Sequence, residues 1–343
     1  MTEIFAQELI NQLDTLLKQT KKAVIVTHIN PDGDAIGSSL AWAGFLRDKY
    51  KIEVSVVVPN RFPDFLKWMY GSNDINVYYD GRKHVEQIIS DAELVFCLDF
   101  NTLKRIDDLG KYIEGVNKRM VLIDHHLEPA SNFYLSFSYI PASSTAELVY
   151  RLIISLTSAH KIDVNIAESL YAGIITDTGM FAHSSSNPEL FILVAYLMEC
   201  GIDKDKIHSA IYDNFSADRM KLLGYSLGER MVVLPEYKAA YIYLTRAELE
   251  RFNFAPGDTE GFVNYPLSIK GLVVSAFFVE GAEHIKISFR SRGDFSVNSL
   301  ARKHFNGGGH KNASGGRTLL SLQETVELFE SVLEEYKDES QRN

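Results

Sequence analysis

The chain has 343 residues, which suggests two domains, because single hydrophobic cores stop growing at about 250–300 residues. Hydrophobic residues at 46% and charged residues at 23% are ordinary for a soluble globular protein, and a net charge of -10 excludes a general nucleic-acid coating role, which needs a broad basic surface. Two cysteines, Cys97 and Cys200, exclude a disulfide framework and a four-cysteine zinc site, and Cys97, inside an apolar run, reads as a small buried hydrophobe.

Residues 1–20 are amphipathic: Ile4, Phe5, Leu9, Ile10, Leu13, Leu16 and Leu17 follow helical spacing. They lack the apolar core and small-residue cleavage site of a signal peptide. No stretch approaches the ~18 apolar residues of a membrane span, and residues 190–200, the longest candidate, read as a buried helix. A cytoplasmic protein with no membrane partner is expected.

Val24, Ile25, Val26 and Thr27 have the β-branched content of a buried parallel strand. The run stops in His28, Asp32 and Asp34, with Pro31 and Gly33 punctuating the turn, and Ala35, Leu40, Ala43, Phe45 and Leu46 then follow helical spacing. A histidine and two aspartates thus stand at the carboxyl end of a strand, where open α/β sheets place their ligands. Imidazole with carboxylate suits Mn²⁺, Fe²⁺, Co²⁺ or Zn²⁺. The plainer alternative is an Asp-Gly turn after a strand that merely ends in histidine.

Further strands are expected at 54–58, weakly at 75–78, at 94–98 ending in Asp99, and at 120–123 ending in Asp124, His125 and His126; residues 82–90 read as a helix. Such repeated β-α units imply a parallel sheet covered by helices. Residues 144–217 turn helical, with Ser143 or Ser144 as N-cap and Glu147 in the first turn. One helical stretch ends in Asp177. Residues 231–234, 239–244, 272–279 and 284–289 read as strands, 297–304 as a helix, 307–316 as a glycine-rich segment, and 321–336 as a helix opened by the capping pair Ser321 and Glu324; 337–343 is a polar tail. The expected fold is α/β: an N-terminal parallel-sheet domain with flanking helices (1–217), a helical linker (218–230) and a smaller α+β C-terminal domain (231–343).

His28, Asp32, Asp34, Asp99, His125 and Asp177, with Asp124 and His126 beside them, are hard to explain structurally as a set. Crowded carboxylates repel and raise one another's pKa. Divalent cations remove that penalty, and two of them about 3.5–4 Å apart can share one carboxylate and polarise a bridging water to hydroxide. Asp99, from a middle strand, is the natural bridge.

The stretch from His28 to Asp34, the lone Asp99, the triplet Asp124-His125-His126, and Thr176-Asp177-Thr178-Gly179 resemble, in order, the four motifs of the DHH phosphoesterase superfamily. Gly307-Gly308-Gly309-His310, followed by Ala313-Ser314-Gly315-Gly316, resembles the signature of its associated C-terminal domain. The resemblance spans nearly the whole chain and is nearest to the NrnA-type members, which consist of two such domains. It implies two Mn²⁺ ions, one on His28, Asp32 and Asp99, the other on Asp34, Asp99, His125 and Asp177, with other divalent transition metals as alternatives. It implies that Asp124 orients a neighbouring histidine and that His126 donates a proton to the leaving oxygen. It assigns the substrate's far end to Arg290, Gly307, Gly308, Gly309 and His310, where glycine lets a backbone approach an anion closely.

The implied activity is hydrolysis of very short oligoribonucleotides, linear dinucleotides and 3′-phosphoadenosine 5′-phosphate. Short RNA and nucleotides are the expected partners, long duplex DNA is not, and a homodimer stays open. An exopolyphosphatase or pyrophosphatase activity, or a cyclic-dinucleotide phosphodiesterase, is the alternative. A catalytically dead nucleotide-binding module would have no need of the whole ligand set.

Overall fold

A computed structural model describes residues 2–157 and 162–337, so the expected polar tail lies, after Lys337, outside the described residues. The chain divides into two units, Met1–Asn214 and Phe215–Asn343.

In the first unit, α1 (Gln7–Gln19) leads into β1 (Lys22–Val26), α2 (Gly33–Phe45), β2 (Glu53–Val58), β3 (Asn76–Val77), α3 (Arg82–Asp91), β4 (Leu94–Leu98), α4 (Asp107–Gly115), β5 (Arg119–Asp124) and β6 (Leu135–Ser138). Four helices follow: α5 (Thr145–Thr157), α6 (Val164–Asp177), α7 (Pro188–Glu199) and α8 (Lys204–Tyr212). The sheet order is β3-β2-β1-β4-β5-β6 and every pairing is parallel. The apolar runs alternate between two buried faces. Ile25, Phe96, Leu98 and Ile123 face the layer built from α1, α2 and α5–α8. Val24, Val26, Val95, Cys97 and Leu122 face α3 and α4. Burying both faces is why these strands read as continuous apolar runs rather than alternating ones.

In that order, β1 has β2 on one side and β4 on the other, so the chain's winding reverses between β1 and β4. Open α/β sheets bind ligands in the crevice at such a switch point. The loop carrying His28 leaves β1, and Asp99 directly follows β4.

Two expectations need correction. Strand β6, beyond β5, is not among the strands expected from sequence. β6 is a four-residue edge strand with only Leu135 and Phe137 buried, and its serines make it resemble a loop in sequence. Helix α7, expected to be buried, buries only Leu190, Leu193, Val194 and Leu197; Phe191, Ile192 and Met198 are exposed.

The second unit begins with α9 (Ala217–Glu229), which occupies the segment expected to link the domains. Its Leu222 and Leu223 pack against Ile242, Leu244, Phe262 and Phe277. Then come β7 (Met231–Leu234), β8 (Ala239–Leu244), α10 (Arg246–Arg251), β9 (Val274–Glu280), β10 (Ile285–Ser291), α11 (Val297–His304), β11 (Gly308–Gly309), β12 (Ala313–Thr318) and α12 (Leu322–Glu335). They form a mixed sheet in the order β11-β12-β10-β9-β8-β7. Phe278, Ile287 and Phe289 pack under Leu300 of α11 and Phe329 and Val332 of α12. The capping box of Ser321 and Glu324 opens α12. Among the described residues no helix is long and apolar enough to cross a membrane.

Within the first unit, α2 and α6 pack without intervening side chains. A Cβ on Gly37 would lie 2.3 Å from the Ser169 carbonyl oxygen, and one on Gly173 would lie 2.8 Å from Asp34 Oδ1 and 2.7 Å from Ala146 Cβ. This approach brings Asp34, in the first turn of α2, toward Asp177 at the end of α6. Gly173→Ala should therefore cost about 1–3 kcal/mol of stability by overpacking and push the Asp34 carboxylate out of place. Thermal unfolding and divalent-metal titration check both effects; a variant unchanged in each would disprove the close-packing argument.

Candidate metal centre

The end of β1 delivers His28 into a loop held by local bonds. The Ile29 carbonyl lies 2.9 Å from His28 Nδ1, which places the ring proton there and turns Nε2 inward. Nε2 stands 3.3 Å from Asp99 Oδ2 and 3.8 Å from Asp32 Oδ2. Asp32 is also the N-cap of α2: its Oδ1 accepts the N–H groups of Asp34 and Ala35, both at 3.0 Å. One oxygen caps the helix and the other faces the site, so the plain capping reading and the ligand reading both describe the same residue.

Asp99 follows β4 in the left-handed region, with φ of 64°, and donates its N–H to the Ile123 carbonyl at 3.1 Å. A non-glycine residue there is strained, and such residues concentrate at functional sites. The result is a carboxylate aimed two ways. Oδ2 faces His28, while Oδ1 lies 3.7 Å from His125 Nε2.

Asp124 ends β5 fully buried, and its Oδ1 lies 2.7 Å from His126 Nδ1. Among the described residues its Oδ2 is buried without a hydrogen-bond partner. His125 turns its Nδ1 toward the Ala142 carbonyl at 3.2 Å and its Nε2 toward Asp177 Oδ2 at 3.4 Å and Asp34 Oδ2 at 4.0 Å.

The structure thus brings His28, Asp32 and Asp99 into one group and Asp34, His125 and Asp177 into a second, with ligand atoms of each within 4.8 Å of one another; Asp99, Asp124 and His126 form a third. Hard carboxylate and borderline imidazole donors together fit a divalent transition metal. The orphaned Asp124 Oδ2 and the crowded acids fit it too. Burial, then the charges of Asp99, Asp177 and Asp32, push the Asp34 carboxyl well above its ordinary value. Burial also opposes ionisation of Asp99, but its hydrogen bond with His28 and the nearby histidine charges outweigh that and hold it low. Burial disfavours the charged form of His28, yet Asp99 and Asp32 overcome it and raise the imidazole to about 9. His125 is raised as well: burial works against it, and Asp177, Asp99 and Asp124 prevail.

The stretch Ser143–Glu147 does more than the capping read from sequence. Capping is there: the Glu147 N–H donates to Ser144 Oγ at 3.1 Å, and Glu147 Oε2 accepts the Ser143 N–H at 2.8 Å. In addition, the N–H groups of Thr145 and Ala146 donate to Asp34 at 2.7 and 2.8 Å, and Thr145 Oγ1 donates to Asp99 Oδ1 at 3.0 Å. The first turn of α5 therefore clamps two acids of the centre. Capping is the role expected for this stretch from sequence, and Thr145, the first residue of α5, is not singled out there; its place just after the histidine pair was the available signal.

The sequence-expected residues of the second unit are carried by β10 and by the hairpin of β11 and β12. Arg290, on β10, is half-buried and donates from Nη1 to the Phe289 carbonyl at 2.9 Å. Gly307, Gly308, Gly309 and His310 form the β11 strand and its turn into β12. A Cβ on Gly307 would lie 2.0 Å from the Gly315 carbonyl oxygen, and Gly309 has φ of 141°, so two of the three glycines serve close backbone packing. The Gly307 N–H is donated to the Ala301 carbonyl, and Asn298 Nδ2 donates to the Gly309 carbonyl.

Residues 22–174 match the N-terminal domain of the DHH family, and residues 236–337 match the DHHA1 domain. The chain is 29% identical to the bifunctional oligoribonuclease and PAP phosphatase NrnA of Bacillus subtilis, over 85% of this chain and 88% of that protein. It is 30% identical to the protein of the same description from Thermus thermophilus, over 95% and 94%. The crystal structure of an exopolyphosphatase-related protein from Bacteroides fragilis shares 44% identity and a TM-score of 0.94, covering 99% of this chain and 100% of that one.

Thr145→Val keeps the backbone clamp on Asp34 and removes only the hydroxyl on Asp99. Loss of such an outer partner should weaken divalent-metal affinity about 10–100-fold, read by calorimetric titration; unchanged affinity would show that the hydroxyl does not orient Asp99. The His28 value near 9 sets a pH dependence. A metal ligand must be neutral imidazole, so binding displaces a proton below that pH. Affinity should rise from pH 6 toward 9 with proton release that fades above it. Titration in buffers of different ionisation enthalpy measures that release, and a pH-independent affinity with none would contradict it.

Proposed function

The chain belongs to the DHH family and carries a DHHA1 domain, and on that premise we propose that it is a metal-dependent phosphoesterase for very short RNA. The substrates proposed are oligoribonucleotides of a few residues, linear dinucleotides and 3′-phosphoadenosine 5′-phosphate. The substrate class draws on the two relatives described as oligoribonuclease and PAP phosphatase. The observation that carries the reading is Asp99, whose two oxygens face two separate donor groups. We assign His28, Asp32 and Asp99 to one Mn²⁺ and Asp34, Asp99, His125 and Asp177 to a second. When bound, such cations neutralise phosphate charge and make a nearby water more acidic.

The remaining work falls to side chains. Asp124 engages His126 through Nδ1, so Nε2 is the atom that would pass a proton to the leaving oxygen. Fixing the ring in this way sets its tautomer as well as its direction. Arg290, Gly307, Gly308, Gly309 and His310 are proposed to hold the end of the substrate remote from the scissile bond. Binding energy from a remote end serves orientation, which favours substrates long enough to reach it. A cytoplasmic enzyme acting on nucleotides and short RNA is the corresponding cellular reading. The name of the Bacteroides fragilis relative supports one competing substrate, polyphosphate, on the same metal centre.

The test is a product assay with Mn²⁺ over dinucleotides, RNA of increasing length, 3′-phosphoadenosine 5′-phosphate, cyclic dinucleotides, pyrophosphate and polyphosphate. The expected result is turnover of dinucleotides and 3′-phosphoadenosine 5′-phosphate, with rates falling as RNA lengthens. Preferred turnover of polyphosphate would replace this reading with the competing one. In the same assay His126→Ala should lower kcat by about 10²–10⁴-fold and leave metal stoichiometry unchanged. Loss of metal in step with activity would instead make His126 a ligand.

A further inference from the structure

We propose that Arg105 is a substrate-binding residue of the first unit, gripping the non-bridging oxygens of the substrate phosphate on the His28 side of the metal centre. The inference rests on the phosphoesterase reading and adds to it a residue outside all the motifs.

The backbone of Arg105 is fixed from both sides. Its N–H donates to the Thr102 carbonyl at 3.0 Å, and its own carbonyl accepts the N–H of Ile29, the neighbour of His28, at 3.0 Å. Leu103 and Ile106 on either side are buried in the core beneath α3 and α4. The segment between β4 and α4 is thereby tied to the ligand loop that leaves β1, and Arg105 starts from a rigid base beside it.

Its guanidinium stands out among the arginines. Arg47, Arg151, Arg219, Arg230 and Arg290, the other buried or half-buried arginines among the described residues, each donate a side-chain hydrogen bond to a carbonyl or carboxylate. Arg105 is half-buried and, among the described residues, has no side-chain hydrogen bond and no ion pair. A half-buried arginine beside a cluster of acids would ordinarily pair with one of them. This one keeps its fork of donors uncommitted next to a centre built to receive phosphate.

The chemistry of the ligand follows. The acids of the centre repel a phosphate until cations offset them, and a fixed cation at the rim adds to that offset. Guanidinium offers paired parallel N–H donors that match two oxygens of one phosphate, a geometry lysine cannot copy. The ligand class is a phosphate mono- or diester, met at the same phosphate that the centre addresses.

The experiment compares wild type, Arg105→Ala and Arg105→Lys, all loaded with Mn²⁺, by dinucleotide kinetics and by calorimetric binding of adenosine 5′-monophosphate. Arg105→Ala should lose about 10²–10³-fold in kcat/KM, the scale of a lost charge-stabilising donor, and should bind the monophosphate more weakly. Its metal affinity should not fall, since removing a nearby positive charge does not weaken cation binding. Added guanidinium ion should restore part of the alanine variant's activity, and Arg105→Lys should recover little. Unchanged kinetics and monophosphate binding in Arg105→Ala would overturn the assignment, as would a fall in metal affinity matching the fall in activity, which would make Arg105 a support for His28. A wild type that cleaves no phosphate ester removes the phosphoesterase reading and this inference with it. A wild type that cleaves them while Arg105→Ala does so equally well removes this inference alone.

Discussion

Three aspartates of the first unit, Asp34, Asp99 and Asp124, are buried almost completely within one small volume. Charges without water are costly unless each is paired or hydrogen-bonded, and like charges raise the cost further. The surroundings of the centre answer that constraint. Asp34 takes two backbone N–H groups from the start of α5, Asp99 takes a histidine and a threonine hydroxyl, and Asp124 takes the second histidine of its triplet. The parallel sheet supplies the frame, because the ends of β1, β4 and β5 emerge side by side at the switch of strand order. The glycine contact between α2 and α6 then carries Asp34 and Asp177 to the same place. Partial compensation remains even so: Asp34 is held high and His28 keeps its proton to about pH 9. Divalent metal would offset the remaining charge of these acids.

Much of this was legible in the sequence for a simple reason. Each main strand of the first unit is an unbroken apolar run that ends in a ligand-type residue, and both signals are local. Residues 24–28, 94–99 and 120–126 could be read without knowing what lies beside them. Strand β6 was not legible, since an edge strand buries two side chains and needs no continuous run. Thr145 was not legible as a partner of the acids, because it meets Asp34 across a separation of 111 residues and does so with its backbone. Arg105 escaped for a related reason: nothing about its neighbours in sequence marks it, and only the bond from Ile29 reveals where it stands.

The second unit taught the opposite lesson. Its glycine segment was conspicuous in sequence and suggested an anion cradle. In the structure, Gly307 and Gly309 are required by the close pass of β11 along β12, before any ligand is considered. The glycine signature is thus structural first, and the same tight hairpin carries His310 at its turn. Helix α9 shows a similar shift in meaning: polar residues made it look like a spacer, but two leucines seat it on the sheet.

The clamp on Asp34 has a consequence for how this chain can drift over generations. Its donors are main-chain amides at 145 and 146, so most single-letter replacements there leave them in position, proline excepted. What would break the clamp is a change in chain length. Between the end of β6 at Ser138 and the start of α5 at Thr145 lie only six residues. An inserted or deleted codon in that stretch would rotate or translate the first turn of α5 and withdraw both amides together. Lineages of this protein should therefore tolerate varied letters in that segment and a nearly constant number of them.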